Sequence, residues 1–145
     1  MPTVAVREPA TLLSPLLART LPPALARLIP PDRPADLMVF FLENGVPPLL
    51  PCQTLLIPGQ AGAPPLSVSQ VVTYGPSPRD TLTFSSLSPG GILLSLQREI
   101  VTLAGDRLER QELSVPDRGG VLLTLAWAGA LLLAGMPPEK LCAIP

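Results

Sequence analysis

The segment from Val121 to Met136 constrains the fold of this chain more than any other. It is apolar except for Thr124, and Pro137 and Pro138 end it. A long apolar run predicts a helix, and a helix without a polar stripe belongs inside a core, at an interface or in a membrane. The candidate interface or apolar-pocket residues on this helix are Val121, Leu125, Ala128 and Leu132.

The same segment leaves a membrane alternative open. Residues 119–136 carry no charge, and their number is at the lower limit for a helix that spans a bilayer. A single-span membrane protein through 119–136 is therefore one alternative. We prefer a buried core helix, because the chain before it is rich in β-strand patterns and a sheet needs an apolar cover.

Proline limits the elements that can form before that helix. Fourteen of the 21 prolines lie in residues 1–65, so this part can hold only short elements. We expect two short helices there, at 10–18 and 22–29. Residues 36–43 form a continuous apolar run between two acidic residues, which predicts a strand with both faces covered.

The middle of the chain predicts an antiparallel sheet of about five strands. Its clearest feature is a pair of strand patterns, 92–103 and 107–115, joined by a short loop that contains glycine. We therefore predict an α+β fold with short N-terminal helices, this sheet, and one buried apolar C-terminal helix packed on it. The 145 residues fit a single domain, with a Pro-rich helical segment (1–34), the sheet (35–118) and the helix (119–136).

The chain is poor in charge, which bears on its partners. Charged residues make up 14% of it, against about 25% in an average globular protein. Such a chain is expected to leave apolar surface for a partner or a ligand. The net charge of −1 and the 3% aromatic content give no basic or stacking surface, so we expect no nucleic-acid partner.

Several kinds of active site are excluded by residue types. The chain has no histidine and only two cysteines, Cys52 and Cys142. Metal, haem and iron–sulfur sites mostly require histidine or clustered cysteines, so we expect no metal and no cofactor. A Ser-His-Asp or Cys-His centre is ruled out. The N-terminus lacks a signal-peptide pattern, which favours a cytoplasmic protein.

One candidate for chemistry is Pro2. Removal of Met1 would leave Pro2 as a secondary amine ahead of the strand-like residues 3–6. This start resembles that of tautomerase-superfamily enzymes. The resemblance implies that Pro2 acts as a base or nucleophile and that an arginine binds a carboxylate substrate.

A second candidate is Arg98, in the middle of a predicted strand. It shares one face of that strand with Leu94, Leu96 and Ile100, so we expect its charge to point inward. It would then serve as an anchor for an anionic substrate, or more simply as the cross-strand partner of Glu109 or Glu112.

A second resemblance lies at residues 119–126, Gly-Gly-Val-Leu-Leu-Thr-Leu-Ala. This stretch is similar to the start of the central helix in hot-dog-fold acyl-thioesterases. The resemblance implies that the glycines let a thioester approach the helix N-terminus. Two features depart from that family: most of the sheet precedes the helix here, and Trp127 and Ala128 stand where an acidic residue is expected.

The leading hypothesis is a non-catalytic protein that buries apolar surface against copies of itself or a partner, with a small apolar ligand pocket as a related option. This hypothesis rests on the low content of charged residues, on the helix without a polar face, and on the absence of histidine-based catalytic centres. The alternative is a small histidine-free enzyme acting on a carboxylate or acyl substrate, tautomerase-like through Pro2 or thioesterase-like.

Overall fold

The computed structural model describes residues 1–41, 51–61 and 68–145. The strands in these ranges are β1 (Thr3–Arg7), β2 (Arg27–Ile29), β3 (Leu37–Phe40), β4 (Thr54–Pro58), β5 (Gln70–Tyr74), β6 (Leu82–Ser88), β7 (Gly91–Leu96), β8 (Ile100–Val101), β9 (Arg107–Leu108) and β10 (Gln111–Pro116). The helices are α1 (Leu13–Thr20), α2 (Val121–Ala134) and α3 (Pro138–Cys142), with a short 3-10 helix at Gly59–Ala61.

Eight strands form one mixed, mostly parallel sheet in the order β10-β7-β6-β5-β4-β3-β1-β2. From β2 to β6 every neighbouring pair is parallel, and only the β6–β7 and β7–β10 pairs are antiparallel. The predicted antiparallel sheet of about five strands is therefore wrong, although the α+β class stands.

The connections between strands explain that error. Parallel strands usually need a long crossover, most often a helix, whereas antiparallel strands can be joined by a short turn. Strands β5 and β6 are parallel, yet only residues 75–81 connect them, and these form no helix. In sequence, such a turn-rich connection is typical of an antiparallel meander.

The N-terminal helices are also only partly as predicted. The first prediction, 10–18, corresponds to α1 at Leu13–Thr20. The second, 22–29, is wrong: a turn closed by the Leu25 N–H and the Pro22 carbonyl leads into β2, which pairs with β1. Pairing with a buried neighbour strand outweighs the weak helical spacing of a segment that begins with two prolines.

The antiparallel pairing predicted for 92–103 and 107–115 is confirmed, but as two separate ladders. Leu94 lies opposite Leu113 in the β7–β10 ladder. Strands β8 and β9 form their own small hairpin, with Ile100 opposite Leu108. Gly105 has a φ of 93° in the connecting turn, a conformation that favours glycine.

Helix α2 packs on strands β3 to β6 and contacts α1 and α3. Every residue from Thr124 to Ala134 is buried, so the buried C-terminal helix is where the apolar run predicted it. Gly129 faces the sheet closely: a Cβ there would lie 2.6 Å from Leu82 Cδ1 and 3.1 Å from Leu56 Cδ2. In the described part of the chain, no helix is long and apolar enough to cross a membrane.

The central strands are buried on both faces, as the apolar run at 36–43 predicted; its residues 42 and 43 lie outside the described ranges. One face of β1, β3 and β4 joins the core under α2. The other face carries a second apolar cluster of Ala5, Ala35, Met38, Phe40, Leu55 and Ile57.

Candidate functional site

The strand order places a ligand position at the carboxyl edge of the sheet. Strand β2 lies on one side of β1 and β3 on the other, so the direction of winding reverses at β1. In open α/β sheets, ligands bind outside the carboxyl ends of the strands at such a reversal. Arg7 ends β1 here, and its carbonyl accepts the Phe41 N–H just after β3 at 2.9 Å. We call this end of the molecule the carboxyl edge.

Glu8 follows β1 and occupies the start of α1 at this edge. Its Oε1 accepts the backbone N–H groups of Leu12 and Leu13, at 2.9 and 2.8 Å. Its Oε2 accepts the N–H of Ser14 at 2.9 Å and the Ser14 hydroxyl at 2.6 Å. The first N–H groups of a helix have no partner within it and attract anions. In this protein the anion is the chain's own carboxylate.

The electrostatics of Glu8 agree with this geometry. Partial burial alone would raise the pKa of Glu8, but the hydrogen bonds from Ser14, Leu13 and Leu12 outweigh burial and hold that pKa below its usual range. Hydrogen bonds to the ionised form favour it. The carboxylate is therefore charged at neutral pH, when it neutralises the positive end of α1.

A second carboxylate, Asp117, lies in the turn between β10 and α2. Strand β10 runs in the same direction as the parallel strands, but its first residue, Gln111, is level through Leu96 and Leu82 with the end of β5, so α2 begins beyond the ends of the parallel strands. Asp117 Oδ1 accepts the N–H groups of Gly119 and Gly120 at 3.0 and 2.8 Å. These two bonds lower the pKa of Asp117. The N–H groups of both glycines in the thioesterase-like stretch are thus already bound to Asp117.

A third carboxylate, Asp80, is buried between the ends of β4 and β5. Its Oδ2 accepts the Ser77 N–H at 3.1 Å, and the side chain is 5% exposed. It lies against two backbones: a Cβ on Gly59 would be 1.8 Å from Asp80 Oδ1, and one on Gly75 would be 2.6 Å from Oδ2. Glycine at position 59 therefore provides the space that the carboxylate fills.

Arg118, next to Asp117, is held by stacking and by main-chain oxygens. Its guanidinium lies 4.3 Å from the centre of the Trp127 ring. Its Nη1 and Nη2 donate to the carbonyls of Pro145 and Ile144 at 2.9 and 3.0 Å. Burial, and then the positive charge of Arg19, lower the pKa of Arg118. Arg118 thus fastens the segment after α3 to the start of α2.

The predicted contact residues of α2 lie inside the protein. Leu125, Ala128 and Leu132 are 0% exposed, and Val121 is half-buried against the core. Their side chains fill the space between helix and sheet. A cleft of about 310 Å³ lies elsewhere, at the amino ends of β1, β3 and β4, where Thr3, Asp36 and Cys52 are among the residues that line it. Burial raises the pKa of the Cys52 thiol.

The structure does not bring Pro2 and Arg98 together. Pro2 precedes β1, and its carbonyl accepts the Arg27 N–H. Arg98 follows β7 rather than lying within a strand, is exposed, and donates to the Arg79 carbonyl at 2.8 Å. Four strands separate β1 from β7, so the two residues are roughly 24 Å apart at a spacing of about 4.8 Å per strand.

Comparison with known proteins adds no family to this geometry: no protein-family model matches the chain, and no curated protein matches its sequence. Within the described residues, no group of three or more Asp, Glu, Cys or His side chains is placed to hold a metal ion. The functional interpretation therefore rests on the carboxyl edge. Sequence reasoning missed Glu8. Its only signal in the sequence is that an acidic residue stands between a short β-strand pattern and a helix that Leu12, the residue before it, does not cap.

Proposed function

We propose that this chain is a non-catalytic binding protein, built on a mostly parallel sheet whose usual ligand position is filled by its own Glu8. The observation that supports it is the set of hydrogen bonds from the start of α1 to that carboxylate. In α/β enzymes that act on phosphorylated or nucleotide ligands, the same strand–loop–helix position holds the phosphate.

A phosphate would have to displace Glu8 to reach these donors. Hydrogen bonds to a charged group contribute about 1.5–3 kcal/mol each, and displacement would return the carboxylate to water beside the incoming anion. The start of α1 therefore disfavours phosphate and carboxylate substrates.

The surface beside Glu8 suits a protein partner instead. Leu12 directly precedes α1, Leu122 lies in the first turn of α2, and Leu87 lies near the carboxyl end of β6; all three are exposed. Only Leu12 is close to Glu8 along the chain, and Met1, Val71 and Val101 are further exposed apolar side chains of the described residues. Exposed apolar side chains leave surface that a protein partner can cover.

Calorimetric titration with pyrophosphate and with Mg·ATP tests this proposal. We expect no binding heat with the wild-type protein, and weak pyrophosphate binding with Glu8→Ala, which uncovers the donors. Asp32→Asn removes an exposed carboxylate that accepts none of these hydrogen bonds and is the matched control, so it should behave like the wild type. The proposal would be overturned if the wild type bound pyrophosphate or Mg·ATP and if each compound displaced the other.

A further inference from the structure

The outer edge of β10 is the longer of the two edges of the eight-stranded sheet. Strand β10 has six residues, whereas β2 at the opposite edge has three and is followed by Pro30 and Pro31. An exposed sheet edge presents N–H and C=O groups that can pair with another strand. The β10 edge is thus the place where this sheet can be extended.

The alternation of β10 identifies which backbone groups point outward. The Asp117 N–H donates to the Gly90 carbonyl on the β7 side, at 3.0 Å. In an antiparallel ladder, every second residue exchanges both bonds with its neighbour strand, so the odd-numbered residues of β10 bond β7. The N–H and C=O groups of Arg110, Glu112 and Ser114 therefore point away from the sheet.

Those outward groups are open. The side chains of Arg110, Glu112 and Ser114 are exposed. Among residues 1–41, 51–61 and 68–145, no hydrogen bond reaches the backbone of any of the three. Within β10 the only charged side chain is Glu112 and the only proline is Pro116, which ends the strand.

We propose that β10 pairs with β10 of a second copy of this chain, in an antiparallel register centred on Leu113. Directly opposed residues share a face of the sheet, so this register keeps the helices of both copies on one side. Glu112 then lies opposite Ser114 of the partner subunit, and the two exchange N–H···O bonds. The inference rests on the proposed binding role and adds a second surface to it, the β10 edge, with a copy of the chain as its partner.

Registers shifted by one residue in either direction are expected to be less stable. A register centred on Glu112 would oppose two carboxylates, which is destabilising. A register centred on Ser114 would set Glu112 against Pro116, which has no N–H to donate. Centring on Leu113 opposes no two carboxylates, moves Pro116 to the end of the ladder opposite Arg110, and brings two leucines together, each 7% exposed in the single chain.

Side chains on the other face complement each other in the same register. The Ser85 hydroxyl donates to Glu112 Oε2 and orients that carboxylate. Its Oε1 stays available for the hydroxyl of Ser114 of the partner subunit. Because the pairing is two-fold symmetric, the same contact forms twice.

Light scattering after size-exclusion chromatography tests this pairing. We expect twice the mass of the 15.2 kDa chain for the wild type. Ser114→Pro removes an outward N–H while leaving the β7 ladder intact, and should raise the dimer dissociation constant at least roughly tenfold. Ser114→Ala loses the same hydroxyl but keeps the N–H, so as the matched control it should raise the dissociation constant much less than Ser114→Pro. Cooperative thermal unfolding of both variants would show that both are folded.

A cysteine cross-link tests the register without a proline. In a Cys142→Ser background, Leu113→Cys should form an intermolecular disulfide under mild oxidation, because opposed non-hydrogen-bonded residues lie about 4.5 Å apart at Cα. Gln111→Cys should not, since its counterparts would be roughly 14 Å apart. A wild-type monomer, a dimer that Ser114→Pro leaves unchanged, or equal cross-linking at both positions would overturn the pairing. The phosphate titration is independent of all three outcomes.

Discussion

Glu8 and Ser14 are joined through two donors: the N–H of Ser14 lies 2.9 Å and its hydroxyl 2.6 Å from the same carboxylate oxygen, Glu8 Oε2. Leu12, the residue that precedes α1, offers no side-chain cap. The carboxylate therefore takes the place of an N-cap and ties the end of β1 to the start of α1. The stability of this junction depends on one acidic residue.

Replacing Glu8 with glutamine should destabilise the protein by about 1 kcal/mol. Loss of a side-chain cap costs about 0.5–2 kcal/mol, and partial solvent exposure places Glu8 in the lower half of that range. Urea unfolding of Glu8→Gln beside the wild type measures the difference. Asp32→Asn should change the free energy of unfolding by far less, and an equal change in both variants would contradict the capping role.

The effect of Glu8→Gln should depend on pH. Because hydrogen bonding in the fold lowers the pKa of Glu8, its stabilisation is fully present above the unfolded pKa of about 4.3 and is lost as pH falls through the lower folded pKa. The difference between wild type and variant should therefore be constant from neutral pH to about pH 5 and shrink below about pH 4. A difference that grows on acidification would have the wrong sign.

Arg118→Ala should loosen the environment of Trp127, the single tryptophan of the chain. The change removes the stacked guanidinium and two hydrogen bonds to main-chain carbonyls. We expect a loss of about 1–3 kcal/mol in the free energy of unfolding and a red shift of the fluorescence, as water reaches one ring face. Arg33→Ala, at an exposed site, is the control; an unshifted spectrum in Arg118→Ala would show that the ring does not depend on Arg118.

Gly129→Val should destabilise the packing of α2 on the sheet. A single Cβ would already lie 2.6 Å from Leu82 Cδ1, and both Leu82 and Leu56 are fully buried. Overpacking of this kind costs about 1–3 kcal/mol. Ala18→Val, on an exposed site of α1, measures the cost of valine in a helix alone. A loss at position 129 no larger than at position 18 would mean that the two leucines move aside freely.

The sequence predicts the elements that are decided by burial alone. Helix α2 is apolar except for Thr124 and is buried from Thr124 onward, and β3 is a continuous apolar run that is buried throughout. Burial explains both patterns. The α+β class follows from the two together.

The order and direction of the strands could not be predicted in the same way. Parallel pairing of β5 and β6 rests on a connection that contains no helix, so its pattern is the same as that of an antiparallel turn. The segment 22–29 had helical spacing, but pairing between β2 and β1 decided its conformation. In both cases, contacts between residues far apart in the sequence determine the structure.

The role of Glu8 at the candidate site could not be predicted from the sequence for a related reason. Most of its donors are backbone N–H groups, and the backbone carries no sequence signal. The prediction that Arg98 points inward is wrong for a different reason. It assumed that the strand continues through residue 98, but β7 ends at Leu96, so Arg98 is exposed and outside any strand.

An NMR titration of the Glu8 side-chain carboxyl carbon, followed together with the amide signals of Leu12, Leu13 and Ser14, tests whether Glu8 is the anion bound at the start of α1. We expect the pKa of Glu8 to lie below its usual range and the amide signals to move with the same midpoint. A Glu8 that titrates at its ordinary pKa, with amides that do not respond, would contradict it.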